Sequence, residues 1–174
     1  MEGFFRFRAE AWKQRIVDAG ASNNKVAIMG LSHSSKDSNF SLNGEYSSGK
    51  FRMTLIGRGN ASNWDGFTAS YVPNDISFLQ DQRWHHIAIV YDDATTNMGV
   101  YFDKEKLIDL TLQKPFVPNG SFSSLSYKVG EGFGCCAFMG DVDEVRLVRR
   151  ALLTDEFLNF DGPHLETGFF IIVR

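Results

Sequence analysis

Cysteine is nearly missing from this chain: its 174 residues include two, Cys135 and Cys136, and they are adjacent. Sequence neighbours pair only as a strained vicinal ring or with another chain, and no Cys-x-x-Cys spacing accompanies them to suggest a metal site. They read as two small, partly buried thiols in a strand and leave the compartment undecided. Long apolar runs are absent too. A membrane helix needs roughly 20 apolar residues, whereas the longest candidate, Gly168-Phe169-Phe170-Ile171-Ile172-Val173, is strand-sized, so no membrane partner is expected. Nor is there an excess of positive charge. The net charge is −3, the pI is about 5.8, and Lys and Arg are scattered apart from short pairs such as Arg149-Arg150. Without a basic stripe to follow a phosphate backbone, no nucleic-acid partner is expected. Residues Met1-Glu2-Gly3-Phe4-Phe5-Arg6-Phe7-Arg8 alternate charge with aromatics and do not read as a secretory leader. No internal repeat, low-complexity tract or linker divides the chain, and its length suits one domain over residues 1–174.

Aromatic bulk is what the chain has instead: 16 Phe, five Tyr and three Trp. Each such side chain buries on the order of 150–250 Å², ample for one β core. Phe5, Phe7, Ala9 and Ala11 alternate with Arg6, Arg8 and Glu10; Phe51, Met53 and Leu55 alternate with Arg52 and Thr54; Phe67, Ala69 and Tyr71 form a third set. Period-two patterns of this kind predict strands with one dry and one wet face. The stretch from Trp84 to Tyr91 is apolar on both faces after its histidines, which predicts a central strand covered on both sides. One segment reads as a helix, with Thr154 capping Asp155-Glu156-Phe157-Leu158 and acids in its first turn. Loops rich in Ser, Asn and Gly span residues 31–39, 57–66 and 115–126. Loops on a rigid β scaffold commonly carry binding.

Four elements recur in a known order. They are Trp84-His85-His86-Ile87-Ala88, Val100-Tyr101-Phe102-Asp103, Phe138-Met139-Gly140-Asp141-Val142-Asp143-Glu144-Val145-Arg146, and Arg150-Ala151-Leu152 leading to Glu156. The sequence closely resembles laminin G-like domains of the concanavalin A-like jelly-roll class. Their pattern runs Trp-His-His-Val-Ala, Leu-Tyr-Val-Asp-Gly, Phe-x-Gly-x-Ile-Asp-Glu-Val-Arg and Arg-Ala-Leu-Ser-x-x-Glu. The resemblance implies an all-β jelly-roll sandwich of two antiparallel sheets with one short helix near the C-terminus. It also implies an extracellular or periplasmic module beside neighbouring domains of a longer secreted polypeptide. The family's usual first strand has no counterpart, and Gly168 to Val173 is the candidate to fill that edge. Fold does not fix function here, since the architecture hosts lectins, adhesion modules and glycosidases.

Asp141, Asp143 and Glu144 are the densest acids in a strand context. Related jelly-roll glucanases carry Glu-x-Asp-x-Glu, three carboxylates on one face. In this chain position 145 is Val, and Glu144 points to the opposite face unless a bulge intervenes, so hydrolysis is not expected. The same resemblance makes Asp143, in Asp143-Glu144-Val145-Arg146, a candidate ligand for a structural calcium ion (Ca2+), with a capping carboxylate as the alternative. Calcium needs six to eight oxygens. His85 and His86 are consecutive on a strand, so they face opposite ways and do not readily share a metal. No Gly-x-Ser-x-Gly elbow or Ser-His-Asp order stands out. Trp64, with Asn63, Asp65 and Arg58 around it, offers a ring for a sugar face and polar groups for its hydroxyls; the alternative is a Trp plugging its own loop. Three Asn-x-Ser matches, at Asn39, Asn60 and Asn119, decide little. The expected function is non-catalytic, lectin-like recognition of a glycan or polysaccharide. The alternative is a protein-contacting or architectural module with no glycan ligand.

Overall fold

Alternating side chains give strands such as Lys50–Gly57 a wet and a dry face, and two sheets close their dry faces on each other. The computed structural model describes residues 1–8, 10–11, 25–33, 38–47, 50–57, 66–118, 125–130 and 137–159. The strands are β1 (Glu2–Phe7), β2 (Lys25–His33), β3 (Ser38–Ser47), β4 (Lys50–Gly57), β5 (Phe67–Tyr71), β6 (His85–Asp92), β7 (Asn97–Phe102), β8 (Glu105–Thr111), β9 (Leu125–Val129) and β10 (Gly140–Arg146). They form one sheet in the order β10-β1-β6-β7-β8 and a second in the order β5-β4-β3-β2-β9, with every neighbouring pair antiparallel. This is the expected all-β sandwich.

Phe5 and Phe7 of β1, Phe51, Met53 and Leu55 of β4, Leu42 of β3, and Ile87, Met98 and Val100 of the other sheet form the buried core. Phe7 meets Phe51 across the two sheets edge to face, with ring centroids 6.2 Å apart, and meets Phe138 at 5.2 Å. As its two-sided apolar pattern predicts, β6 lies at the centre of its sheet and is buried over its first five residues. The alternation expected to continue to Ala11 stops at Phe7, and Glu10 and Ala11 are helical. Ala and Glu favour helix over strand, so propensity explains the early end. Gly140 is required where β10 meets β1, because a Cβ there would lie 2.0 Å from the Arg6 carbonyl oxygen.

On β10 the register shifts: Glu2 to Phe4 on β1 spans Arg146 to Asp143, so two steps face three. Glu144 sits at φ 45° in this bulge, and the Asp143 Oδ1 accepts its N–H at 2.8 Å. Between β7 and β8 the two turn residues, Asp103 and Lys104, both have positive φ, as a type I′ hairpin requires. The helix expected from Thr154 is a single 3-10 turn, Thr154–Glu156, capped one residue earlier. There the Leu153 N–H donates to Glu156 Oε2 at 2.9 Å, and Glu156 also receives Arg150. Phe157 turns extended, at φ −65° and ψ 153°, to lay its ring against His86 and Tyr101, and this ends the turn after three residues.

One buried carboxylate ties this turn to the sheet. Glu2, 1% exposed, accepts from His86 Nε2 at 2.6 Å, Arg146 Nε at 2.7 Å, Arg146 Nη2, and the Leu158 N–H at 3.0 Å. Burial pushes the Glu2 carboxyl up, but the bonds from His86, Leu158 and Arg146 outweigh it and hold the group below the ordinary glutamate value. Phe157 covers the cluster, 5.2 Å from His86 and 5.0 Å from Tyr101. Replacing Glu2 with Ala would leave the Arg146 guanidinium with the Glu156 carbonyl but no carboxylate and would remove the acceptor of His86, and should cost about 3–5 kcal/mol. Thermal melts should show a drop of roughly 6–20 °C, against almost none for exposed Arg52→Ala. A Glu2→Ala protein as stable as wild type would contradict this role.

Candidate functional site

At the end of the sandwich where β6 finishes, aromatic side chains from several segments line a groove of about 410 Å³. Phe116 packs edge to face on Phe40 at 5.6 Å and on Tyr91 at 5.7 Å. Tyr91 Oη accepts the Phe116 N–H at 2.8 Å and donates to Asp93 Oδ1 at 3.2 Å. Burial, together with the Asp93 and Asp92 carboxylates, holds the phenol above its ordinary pKa despite the Phe116 N–H, so it stays a neutral donor. Asp92 caps the following turn, accepting from the Ala94 N–H at 3.1 Å and from Thr95 Oγ1 at 2.8 Å. Tyr127, paired with Leu31 through β9 and β2, lines the groove and is 50% exposed. Arg149 is an exposed guanidinium at the same rim. Rigid rings with a few convergent polar groups make a ligand pocket of common size and chemistry.

Trp64, Asn63, Asp65 and Arg58 lie outside the described residues, as do Cys135, Cys136 and the stretch from Gly168 to Val173. The feet of the Trp64 loop are described. Gly57 and Phe67 pair with each other, and Gly57 also pairs with Phe40 of the groove, so the loop is rooted at the groove's end of the sandwich. Sequence reading missed the groove because Tyr91, Phe116 and Tyr127 come from three separate segments. The legible hint was an aromatic strand end followed by two acids, Tyr91-Asp92-Asp93.

The acids of β10 divide their work. Asp141 accepts from Arg6 Nε at 2.9 Å and from Arg8 Nη2 at 2.5 Å and Nε at 3.2 Å. Burial raises its carboxyl, but the guanidiniums of Arg8 and Arg6 outweigh this and hold it below the ordinary value. Asp143 caps the bulge, and among the described residues no three His, Cys, Asp or Glu side chains gather into a metal cage. The described residues around Asp143 therefore offer no cluster of three such side chains toward the six to eight oxygens calcium takes.

A family pattern described as Laminin_G_3, concanavalin A-like lectin/glucanases superfamily, matches residues 7–157. The chain belongs to this superfamily. Among solved structures it is similar to a native heptameric SAP-like pentraxin from Limulus polyphemus, at 16% identity and a TM-score of 0.52, over 89% of this chain and 65% of that one. It is also similar to a candidate carbohydrate-binding protein from Bacteroides ovatus, at 18% identity and a TM-score of 0.55, over 89% of this chain and 38% of that one. The chain thus spans less than two thirds of either, and identities this low establish the fold alone. No curated protein matches.

In this laminin G-like sandwich the two motif histidines face opposite ways, as expected. His86 joins the Glu2 cluster. His85 packs among Phe7, Phe78 and Phe102 on the core side, stacked 4.9 Å from Phe102. Its Nδ1 lies 2.7 Å from Asp103 Oδ2 and its Nε2 3.2 Å from Asp81 Oδ1, while Asp103 Oδ1 accepts the His86 N–H. With both ring nitrogens engaged, His85 braces the hairpin turn and leaves no nitrogen open for acid–base work. Burial pulls its pKa down, but Asp103 and Asp81 outweigh that and raise it above the ordinary histidine value of 6.5. A raised folded value stabilises fully below 6.5, and the contribution is lost as pH climbs through the folded value. The wild-type melting temperature should therefore fall on the alkaline side more steeply than that of His85→Gln. Parallel profiles from pH 5 to 9 would refute the brace.

Proposed function

We propose that this domain is a non-catalytic carbohydrate-binding module of a larger extracellular or periplasmic protein, with its sugar site in the aromatic groove. The observation that carries the reading is the half-exposed ring of Tyr127 beside the Tyr91–Phe116 pair, with Asp93 and Arg149 at the rim. Such rings offer apolar plates for a pyranose face, and the planar polar groups answer its hydroxyls. The loop bearing Trp64, Asn63, Asp65 and Arg58 belongs to the same proposal, since its feet stand at this end. The Bacteroides ovatus relative, itself a candidate carbohydrate-binding protein, supports the ligand class.

Catalysis finds little support. A glycosidase needs a general acid whose pKa is raised, whereas Asp141 is lowered and clamped between two arginines. Calcium is the separable part of the proposal: at Asp143 the ion would draw on backbone carbonyls, water or residues beyond those described. Chelation should then lower the wild-type melting temperature by roughly 5–10 °C and leave Asp143→Asn unmoved; indifference of both removes the ion.

On a glycan array the isolated domain should select a sugar, and Tyr127→Ala should weaken its capture at least about tenfold, the scale of one lost stacking contact. Because Tyr127 is half exposed, the melting temperature should barely change. No capture of any glycan, while the domain binds protein neighbours of its own polypeptide, would favour the architectural alternative.

A further inference from the structure

The opposite end of the same sheet holds a second cleft, of about 560 Å³, lined by Arg6, Arg8, Gln80, Gln82, Glu10 and Asp141 over a floor of Phe7 and Leu79. Strand β1 separates the two ends, so they stand roughly 20 Å apart. The cleft's arginines are held in place. Arg6 lies 4.8 Å above the Trp84 ring and gives only its Nε to Asp141, which leaves its outer N–H groups directed elsewhere. Arg8 spends Nε and Nη2 on the same carboxylate and is 62% exposed. Asp141 thus acts as a strut that fixes two guanidiniums side by side, and two cations against one anion leave one positive charge at that wall. Gln82, at φ 57°, is held in a strained left-handed conformation beside them.

We propose that this cleft is a second binding site, for a sugar bearing a single carboxylate. The outer N–H groups of Arg6 and Arg8 would take the carboxylate in the planar, charge-assisted manner that guanidinium favours. The amides of Gln80 and Gln82 can both donate to and accept from ring hydroxyls. The one positive charge left over at the Asp141 wall matches one carboxylate among neutral hydroxyls. Sequence reading singled out none of these residues for ligand binding. The inference extends the lectin-like reading to a different surface and does not depend on the aromatic groove.

Calorimetric titration of the purified domain with a galacturonate trisaccharide, set against the neutral galactose trisaccharide, tests it. The acidic sugar should bind, and Arg8→Gln should weaken it roughly ten- to a hundredfold, the worth of a charged hydrogen bond. Tyr127→Ala should leave that affinity unchanged, and Arg8→Gln should not alter binding of any neutral glycan at the groove. Exposed Arg8 can be lost without unfolding, since Arg6 still pairs Asp141, and a melt verifies this. Gln82→Ala serves as an independent second variant, with a smaller loss expected. The proposal is overturned if the acidic trisaccharide does not bind, if it binds Arg8→Gln as well as wild type, or if a glutamate tripeptide competes with equal affinity. Loss with Tyr127→Ala but not Arg8→Gln would move the acidic sugar to the groove and likewise overturn it.

Discussion

A carboxylate that is almost completely buried must find donors or it destabilises everything around it, and Glu2 finds four N–H donors from three segments. His86 brings β6, Arg146 brings the end of β10, and the Leu158 N–H brings the turn that follows. The β10 bulge follows from the same constraint. It shifts the register so that Arg146 stands opposite Glu2, and Asp143 caps the N–H that the bulge disturbs. With Phe157 laid over His86 and Tyr101, the turn at Thr154–Glu156 covers part of the sheet's outer face.

Both ends inherit their rigidity from the sandwich. At one end, Asp92 and Asp93 order the turn after β6 and fix Tyr91, which in turn holds the Phe116 backbone. At the other, β1 and β10 run side by side, so that Arg6 faces Asp141 directly. In each case the groups of the proposed sites sit on strands or the loops that join them, beside neighbours that are themselves packed or hydrogen bonded. Such preorganisation favours binding, because ordering loose side chains on binding costs affinity.

Much of the fold was legible in the sequence. Alternation located β4 and β5, the two-sided apolar run identified β6 as central, and consecutive histidines had to diverge. Strand ends were harder to read. The pattern through Ala11 continued past the point where weak strand formers give out, and the turn at Thr154–Glu156 stops where Phe157 turns extended to pack on His86, a tertiary contact that the local pattern did not reveal. The sites were the least legible, since Tyr91 and Phe116 meet only through the topology. Trp84, a motif residue by pattern, proves to be the plate under Arg6.

The claim that most needs testing is that a glycan lodges at the end of the sandwich and not on either broad sheet face. Amide chemical-shift mapping by NMR, during titration with a glycan the domain captures, addresses it directly. Shifts should cluster at residues 91–94, 116–117, 127 and 149, joined by residues 57–66. Shifts spread instead over the outer-facing positions of β3, β4 and β5, such as Asn43, Thr54 and Ser70, would place the ligand on the sheet and contradict it.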